Sequence, residues 1–493
     1  MSTSTTDAAL ATPGAESVPL TETEPVAVTT AASRRSAIWR AAFRWHFYAG
    51  IFVIPVLFTL SVTGLIILVK PTLEHTFYGD RLQVQTLSTP PIPMALQQEA
   101  VELRYPGSTT FSIIPPANSG RSTQFDIATS DGEELSAYVN PYTGQFLGSI
   151  DNAHRLDNVA QKIHGTLWLD KWGDWLVEIV AGWTLVMVCT GLYLWWPRSR
   201  GAGRWRRAFV PRVRASGRRK WRDLHSSPGA IFGVVIIFLV LSGLPWSRFW
   251  GHQWGIITER NGHGYNSPET PMSDLQAIDL QTAGLRIPWA NQQQAVPLAT
   301  VGPSMQSEAP QPLAIEQVIT VANTVGMNPG FAIGLPEDDT GVFTLSNGWP
   351  SRAQDERTVF VDQYSGKVLT QHGWDDYGAL AKGTSWAIDA HMGRQLGVIN
   401  AIVLAGACLT AIGSCLTAPV MWWKRRPRGQ AGFPRRPIDP KIARGAGIIG
   451  LTLGVLFPLL GASMLLVLFV DLVIIRNIPT LRRTFGMRDT QPT

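Results

Sequence analysis

Five long apolar segments constrain the fold of this chain more than any other feature. They cover residues 47–69, 179–196, 229–244, 396–423 and 445–475. A helix needs about 20 apolar residues to cross a bilayer because it rises about 1.5 Å per residue, and only the third segment is short unless flanking residues extend it. Charged residues make up 16% of the chain, against about 25% in soluble domains. The sequence therefore predicts a multi-pass membrane protein that contacts a lipid bilayer.

The basic residues indicate the orientation of the chain. They are concentrated at 34–44, 198–222 and 424–444, beside the ends of apolar segments. Because cytoplasmic loops carry an excess of Lys and Arg, we expect a cytoplasmic N-terminus and two cytoplasmic loops, with the polar stretches between the other segment ends outside. The net charge of +6 could also indicate nucleic-acid binding. No stacking module or recognition helix accompanies it, so no nucleic-acid partner is expected.

The chain contains an internal repeat, which is its most informative pattern. Two sequence intervals recur unchanged in the two halves of the chain. The interval from His46 to Gly64 equals that from His225 to Gly243. The interval from His164 to Trp195 equals that from His391 to Trp422. The repeat predicts that each half consists of a membrane helix, an outside domain and a second membrane helix.

The outside stretches have the alternating pattern of small α+β modules. Each contains a Tyr-Thr/Ser-Gly sequence, at 142–144 and at 364–366. We interpret these sequences as hairpin turns that need glycine for a positive φ, rather than as catalytic residues.

These motifs together resemble the PepSY-associated transmembrane helix family, the iron-regulated membrane proteins that include ferric-siderophore reductases. The resemblance rests on the WH and LH sequences at the starts of spans one and three, on IHGTLW and HMGRQLG before spans two and four, on the WWPR and WWKRR span ends, and on the two turns. It implies a mainly α membrane protein. Duplicated helix–PepSY–helix units would form a four-helix transmembrane bundle with two extracytoplasmic α+β PepSY-like domains and an extra C-terminal membrane helix. In reductase members the family implies two b-type haems held by histidines.

The expected layout in the cytoplasmic membrane follows from this resemblance and from the apolar segments. It is a disordered cytoplasmic tail (1–33), transmembrane helix 1 (40–70), PepSY-like domain 1 (71–163), transmembrane helix 2 with its outer approach (164–197), a basic loop (198–222), transmembrane helix 3 (223–246), PepSY-like domain 2 (247–390), transmembrane helix 4 (391–423), a basic loop (424–444), a C-terminal membrane segment (445–475) and a tail (476–493). Residues 445–475 could form one kinked span or two half-spans. Their length favours one span, although the basic residues that follow favour two.

Four of the nine histidines occupy equivalent positions in the repeat. Topology pairs His46 with His225 at the inner face and His164 with His391 at the outer face. Neutral imidazoles from two helices are the ordinary axial ligands of a b-type haem iron, and histidines in a membrane are presumed functional. The alternative is that each histidine caps a helix or contacts headgroups. If span four were one straight helix, the stretch from His391 to Trp422 would rise about 46 Å, which would place the two iron layers far apart.

Histidines outside the repeat and an aromatic segment provide further candidates. His154, His252 and His263 could belong to a different ligand set. Trp246, Trp250 and Trp254 recur every four residues after span three, as on one face of a helix. This pattern is typical of an aromatic belt at the membrane surface.

The same segment could alternatively form the floor of a substrate site. Trp246, Trp250 and His252 would contact a bulky ferric chelate beside the outer haem, and Arg248 would attract an anionic ligand.

Two classes of function follow. One is a ferric-siderophore reductase that passes electrons outward through two b-type haems. The other is a non-enzymatic PepSY membrane protein that binds or inhibits an extracytoplasmic protease or senses the envelope. Metal transport is a weaker third possibility because the spans lack acidic or Cys-rich ion paths. No GxGxxG follows a strand, so electrons would come from a separate cytoplasmic donor or from quinol.

Overall fold

The computed structural model of the chain describes residues 27–198, 203–260, 271–282, 284–299, 311–348, 350–426, 432–434, 440–479 and 481. The helices are α1 Ala27–Leu68, α2 Lys70–Leu82, α3 Met94–Arg104, α4 Leu156–Thr166, α5 Asp170–Trp195, α6 Arg204–Phe209, α7 Gly217–Gly243, α8 Arg248–Arg260, α9 Ala277–Thr282, α10 Ile315–Thr324, α11 Ala379–His391, α12 Gly397–Arg425, α13 Pro440–Leu456 and α14 Pro458–Phe469. The strands are β1 Thr109–Ile114, β2 Thr123–Ala128, β3 Glu134–Val139, β4 Phe146–Asp151, β5 Met272–Gln276, β6 Ala295–Pro297, β7 Ala332–Gly334, β8 Val342–Ser346, β9 Arg357–Asp362 and β10 Val368–Gly373.

Four long apolar helices, α1, α5, α7 and α12, form a bundle. Helix α1 packs against α5 and α12, and α7 packs against the same two helices. With α14 and its continuation to Ile475, five helices of the described chain are long and apolar enough to cross a membrane. The chain is therefore a multi-pass membrane protein. We call the end of the bundle at which α5 ends, α7 begins and α12 ends the basic end, and the opposite end the sheet end.

One antiparallel sheet of eight strands lies at the sheet end, in the order β10-β9-β8-β7-β1-β2-β3-β4. Its two four-stranded halves meet where β1 pairs with β7, through Ser112 opposite Gly334 and Ile113 opposite Ile333. Helices α3 and α10 cover it with buried side chains such as Val101 and Val318. The sequence indicated two modules and gave no sign that they join. Pairing at β1 and β7 satisfies two strand edges that would otherwise be open.

The two Tyr-containing sequences form the expected hairpin turns. They connect β3 to β4 and β9 to β10, and Gly144 and Gly366 have φ of 71° and 70°. The backbone N–H of Tyr142 donates to Asn140 Oδ1, and that of Tyr364 donates to Asp362 Oδ1. These side chains act as turn-forming acceptors, so the turn interpretation accounts for both sequences.

The expectation of one kinked span over residues 445–475 needs correction. Helices α13 and α14 fold back on each other at Phe457, and a Cβ placed on Gly450 would lie 3.9 Å from Met464 Sδ. In a continuous helix those residues would be about 21 Å apart. Gly454 and Gly461 are in backbone contact, because only glycine allows two helices to approach so closely. The segment is a helical hairpin.

The N-terminal expectation is also partly wrong. Helix α1 begins at Ala27, so the last part of the stretch predicted to be disordered, 1–33, is helical. Residues 1–26, much of the second basic loop and most of the C-terminal tail lie outside the described residues.

Candidate functional site

The four repeat-related histidines form two pairs, as their positions in the sequence predict. His46 of α1 and His225 of α7 have ring centroids 6.1 Å apart at the basic end, with the planes at 81°. His164 of α4 and His391 of α11 have ring centroids 6.4 Å apart at the sheet end, also at 81°. In each pair, one ring belongs to the first half of the repeat and the other ring belongs to the second half. Each pair therefore lies between the helices of the two halves.

The two pairs lie closer together than a straight fourth helix would allow. His391 is the last residue of α11, and the chain turns before α12 begins at Gly397. His164 likewise lies on α4, before the turn into α5. Span four is therefore not one straight helix from His391 to Trp422, and the separation of about 46 Å that such a helix would give does not apply. Thr63 of α1 contacts His164, and about 25 Å of helix separates it from His46.

Each histidine forms the same contacts with the other membrane helix of its own half. The ring Nδ1 of His46 lies 2.8 Å from the Met187 carbonyl oxygen and 3.4 Å from Thr190 Oγ1. The other three rings also have a hydroxyl oxygen beside Nδ1. The distance is 3.0 Å from His164 to Thr63, 3.2 Å from His225 to Thr417 and 2.9 Å from His391 to Ser242. The corresponding carbonyls belong to Leu60, Ser414 and Leu239. Every site thus combines a carbonyl with a hydroxyl three residues later.

Sequence reasoning missed these hydroxyl residues, although the repeat contained a signal for them. Thr63 follows His46 at the same interval as Ser242 follows His225. Thr190 follows His164 at the same interval as Thr417 follows His391. A small residue comes next in all four cases. The small residues are Gly64, Gly191, Gly243 and Ala418.

The glycines leave room for the rings. A Cβ on Gly191 would lie 3.0 Å from His46 Cε1, and one on Gly243 would lie 3.3 Å from His391 Cε1. On Gly64 it would lie 3.4 Å from the same atom of His164. All four histidines keep some exposed surface although their rings lie inside the bundle.

The ring separation in both pairs is compatible with two imidazoles that share one metal ion. A nitrogen–metal bond is about 2.0–2.1 Å, so two imidazoles on opposite sides of one metal have centroids roughly 6 Å apart. Among the described residues, no group of three or more His, Cys, Asp or Glu side chains could hold a metal ion. Two histidines alone suit a metal whose other ligands come from a planar cofactor such as haem.

The profile of a family described as the PepSY-associated TM region matches residues 43–425. The chain belongs to the PepSY-associated transmembrane family. The match includes all four paired histidines and excludes the α13–α14 hairpin. No curated protein matches the chain.

In this PepSY-associated protein the tryptophans after span three separate into two groups, so the prediction of a single helical face was wrong. Trp246 ends a 3-10 turn before α8 begins. Its ring centroid lies 5.8 Å from that of His391, and 42% of the residue is exposed. Trp250 and Trp254 stack at 5.3 Å, and Trp250 donates its indole N–H to the Leu456 carbonyl of the hairpin. Trp246 alone of these three therefore contacts a paired histidine.

The other predicted substrate residues also lie at the sheet end. Arg248 is exposed, and its Nε is 3.6 Å from Asp174 Oδ2. His252 is exposed on α8, and His154 lies on the surface beside Asp151. His263 lies outside the described residues.

A buried acidic cluster of the PepSY-associated protein lies beside the sheet-end pair. Glu356 and Asp389 are 4% and 1% exposed, and Arg394 Nη2 donates to Asp389 Oδ1 at 2.7 Å. Burial, together with the negative charge of Asp389, raises the pKa of Glu356 to about 8, although hydrogen bonds from Ser385 and Tyr377 oppose the shift. Glu356 is therefore mostly protonated at neutral pH.

Proposed function

We propose that this protein is a membrane oxidoreductase with two b-type haems, which passes electrons across the cytoplasmic membrane to a ferric siderophore. The observation that carries the proposal is the pair of opposed imidazoles at each of two levels of one bundle. Isolated capping or headgroup-contacting histidines would have no reason to oppose each other twice at about 6 Å. The sequence has no CxxC, which favours non-covalent b-type haem over covalently attached haem.

His46 and His225 would hold one haem, and His164 and His391 the other. A bound haem supplies one-electron exchange at its iron. The chain supplies neutral imidazoles, each held by a carbonyl and a hydroxyl, and an apolar layer between the two levels. That layer contains Ile236, Ala407, Ala411 and the flanking Phe232. It excludes water from the bundle between the two sites.

The substrate side of the proposal rests on Trp246. It is the exposed aromatic residue that touches His391, so a chelate resting on it would approach the sheet-end site closely. Arg248, two residues later, is paired at the surface with Asp174, and a surface pair of this kind contributes about 0–1 kcal/mol. Arg248 can therefore leave Asp174 and bind an anionic chelate instead. Trp250 and His252, which the sequence also suggested, would lie farther along α8.

The proposed arrangement is a pair of duplicated helix–PepSY–helix units with the basic end in the cytoplasm and the eight-stranded sheet outside. Charge placement supports this orientation because both basic clusters lie at one end of the bundle. Electrons would enter from a separate cytoplasmic donor or from quinol near His46 and His225. They would leave near His164 and His391.

The first test is a reduced-minus-oxidised visible spectrum of the protein purified in mild detergent. We expect bands of two b-type haems, and about half the haem after replacement of either member of a pair by alanine. Full haem content in all four alanine variants would exclude these ligands. Absence of haem from the wild-type protein would favour the non-enzymatic alternative, in which the PepSY-like domains bind a protease or sense the envelope.

The second test is the reaction. Dithionite-reduced protein is mixed with a ferric hydroxamate, and haem reoxidation is followed against the iron-free hydroxamate. Trp246→Leu should slow the reoxidation, whereas the matched Trp250→Leu change, in a side chain that packs on the hairpin, should not. Equal rates with ferric and iron-free hydroxamate would refute the reductase proposal.

A further inference from the structure

The four hydroxyl groups beside the histidines each have their single proton already engaged. Each donates it to the carbonyl four residues earlier in its own helix. The hydrogen bonds run from Thr63 to Thr59 O (2.9 Å), from Thr190 to Val186 O (2.7 Å), from Ser242 to Phe238 O (2.7 Å) and from Thr417 to Gly413 O (2.7 Å). A hydroxyl has one proton and two lone pairs. Its oxygen therefore faces the neighbouring histidine as an acceptor.

This arrangement determines where the imidazole proton lies. At every Nδ1 the neighbouring hydroxyl oxygen is an acceptor, and at His46 the Met187 carbonyl is a second acceptor at 2.8 Å. An unprotonated Nδ1 would place its lone pair against theirs. In a neutral imidazole only one nitrogen carries a proton, so a protonated Nδ1 leaves Nε2 with a free lone pair.

We infer that Thr63, Thr190, Ser242 and Thr417 are positioning residues that hold all four histidines in the Nδ1-protonated tautomer and thereby leave Nε2 with the free lone pair that would bind a metal. The inference rests on the proposed haem sites and adds to them a specific set of supporting groups. Two sets belong to each half, and within a half they are reciprocal. His46 on α1 uses Thr190 on α5, while His164, just before α5, uses Thr63 on α1.

The hydroxyls should also tune the haem. An acceptor at Nδ1 draws the proton away from the ring and makes Nε2 a stronger donor, which favours ferric over ferrous iron. Removing the hydroxyl acceptor should therefore raise the midpoint potential of that haem, including at His46, where the Met187 carbonyl remains as a second acceptor. Loss of a supporting partner of a metal ligand typically weakens metal binding about 10- to 100-fold.

The test compares two substitutions at each level of the bundle. Thr190→Val removes the hydroxyl with little change in shape, and Thr190→Ser retains it. Thr63→Val and Thr63→Ser do the same at the sheet end. Each purified protein is titrated potentiometrically while the haem spectrum is recorded, so that the haem of the other level serves as an internal control for folding.

We expect Thr190→Val to raise the potential of the basic-end haem, or to release that haem, while the sheet-end haem is unchanged. Thr63→Val should do the converse, and both serine variants should behave like the wild-type protein. Unchanged potentials in the valine variants with both haems bound, or equal shifts in the valine and serine variants, would overturn the inference.

The tautomer can also be measured in haem-free protein, which separates this inference from the proposed function. Histidine ¹⁵N signals distinguish a protonated Nδ1 from a protonated Nε2. Nδ1 protonation of the four paired histidines would support the inference even if the wild-type protein bound no haem. Nε2 protonation would refute it even if both haems were present.

Discussion

Gly191→Ala is the sharpest steric test of the basic-end site. The added Cβ would lie 3.0 Å from His46 Cε1 and 3.3 Å from its Nδ1. The ring cannot move away without cost, because Nδ1 is 2.8 Å from the Met187 carbonyl oxygen. The substitution should therefore push the imidazole out of the orientation in which it opposes His225.

The magnitude follows from the overpacking at Gly191. One added methyl group in a packed site costs about 1–3 kcal/mol. The higher helix propensity of alanine stabilises haem-free and haem-bound protein alike, so it does not change haem affinity. In haem-free protein the ring can relieve the overpacking by turning aside and weakening its hydrogen bond to Met187, whereas a metal-bound ring cannot turn, so a cost of about 1–3 kcal/mol should appear in haem affinity rather than in folding. This corresponds to roughly 5- to 150-fold weaker binding.

The assay is haem transfer to excess apomyoglobin, measured in a His164→Ala background so that only the basic-end haem remains. The control is Gly229→Ala in the same background, since a Cβ on Gly229 of α7 would meet no atom within 4 Å. Gly191→Ala should release haem much faster than this control. Indistinguishable transfer rates for the two variants would refute the reasoning about the His46 site.

Three further predictions concern topology and the acidic cluster. In a background without native cysteines, Thr143→Cys and Ser365→Cys should react with an impermeant reagent in intact cells, because their turns lie at the sheet end; labelling only after lysis would reverse the orientation. A cysteine appended after Thr493 should react only after lysis, since the hairpin returns the chain to the basic end; labelling in intact cells would restore a single span. Because the folded-state pKa of Glu356, about 8, exceeds the unfolded value of about 4.3, its contribution to stability is complete at low pH and is lost as pH rises towards 8. Glu356→Gln should therefore gain in unfolding free energy relative to wild type between pH 5 and pH 8, by at most about 5 kcal/mol, and a difference independent of pH would contradict the assignment.

The repeat allowed the histidine pairs to be predicted because helix geometry converts equal spacing into equal depth. The equal intervals from His46 to Gly64 and from His225 to Gly243 place both rings at one level. The equal intervals from His164 to Trp195 and from His391 to Trp422 do the same at the other level. The hydroxyl partners escaped notice because a lone Thr or Ser in an apolar helix usually bonds back to its own backbone. Thr190 does so too, and only the folded contact reveals its second role.

Other features depended on contacts between distant segments. The pairing of β1 with β7 joins strands from opposite halves of the sequence, and strand composition alone does not select a partner edge. For residues 445–475, the length of the segment wrongly favoured one span. The basic residues that follow it correctly favoured two, which form the hairpin. The contact between Gly454 and Gly461 explains why, since two small residues let the helices pack directly against each other.

The two halves have similar histidine sites but differ at the sheet end. This difference makes the two sides of the sheet-end site unequal. Trp246 follows His225 at the same interval as Ile67 follows His46. In the described part of the chain an exposed aromatic ring thus lies beside His391, whereas the equivalent position in the first half is the aliphatic Ile67. Two equivalent pairs alone would offer electrons two equivalent exits around the bundle. An indole in contact with His391 makes one side of the sheet-end site different from the other, and on the proposed function that is the side where a ferric chelate would accept the electron.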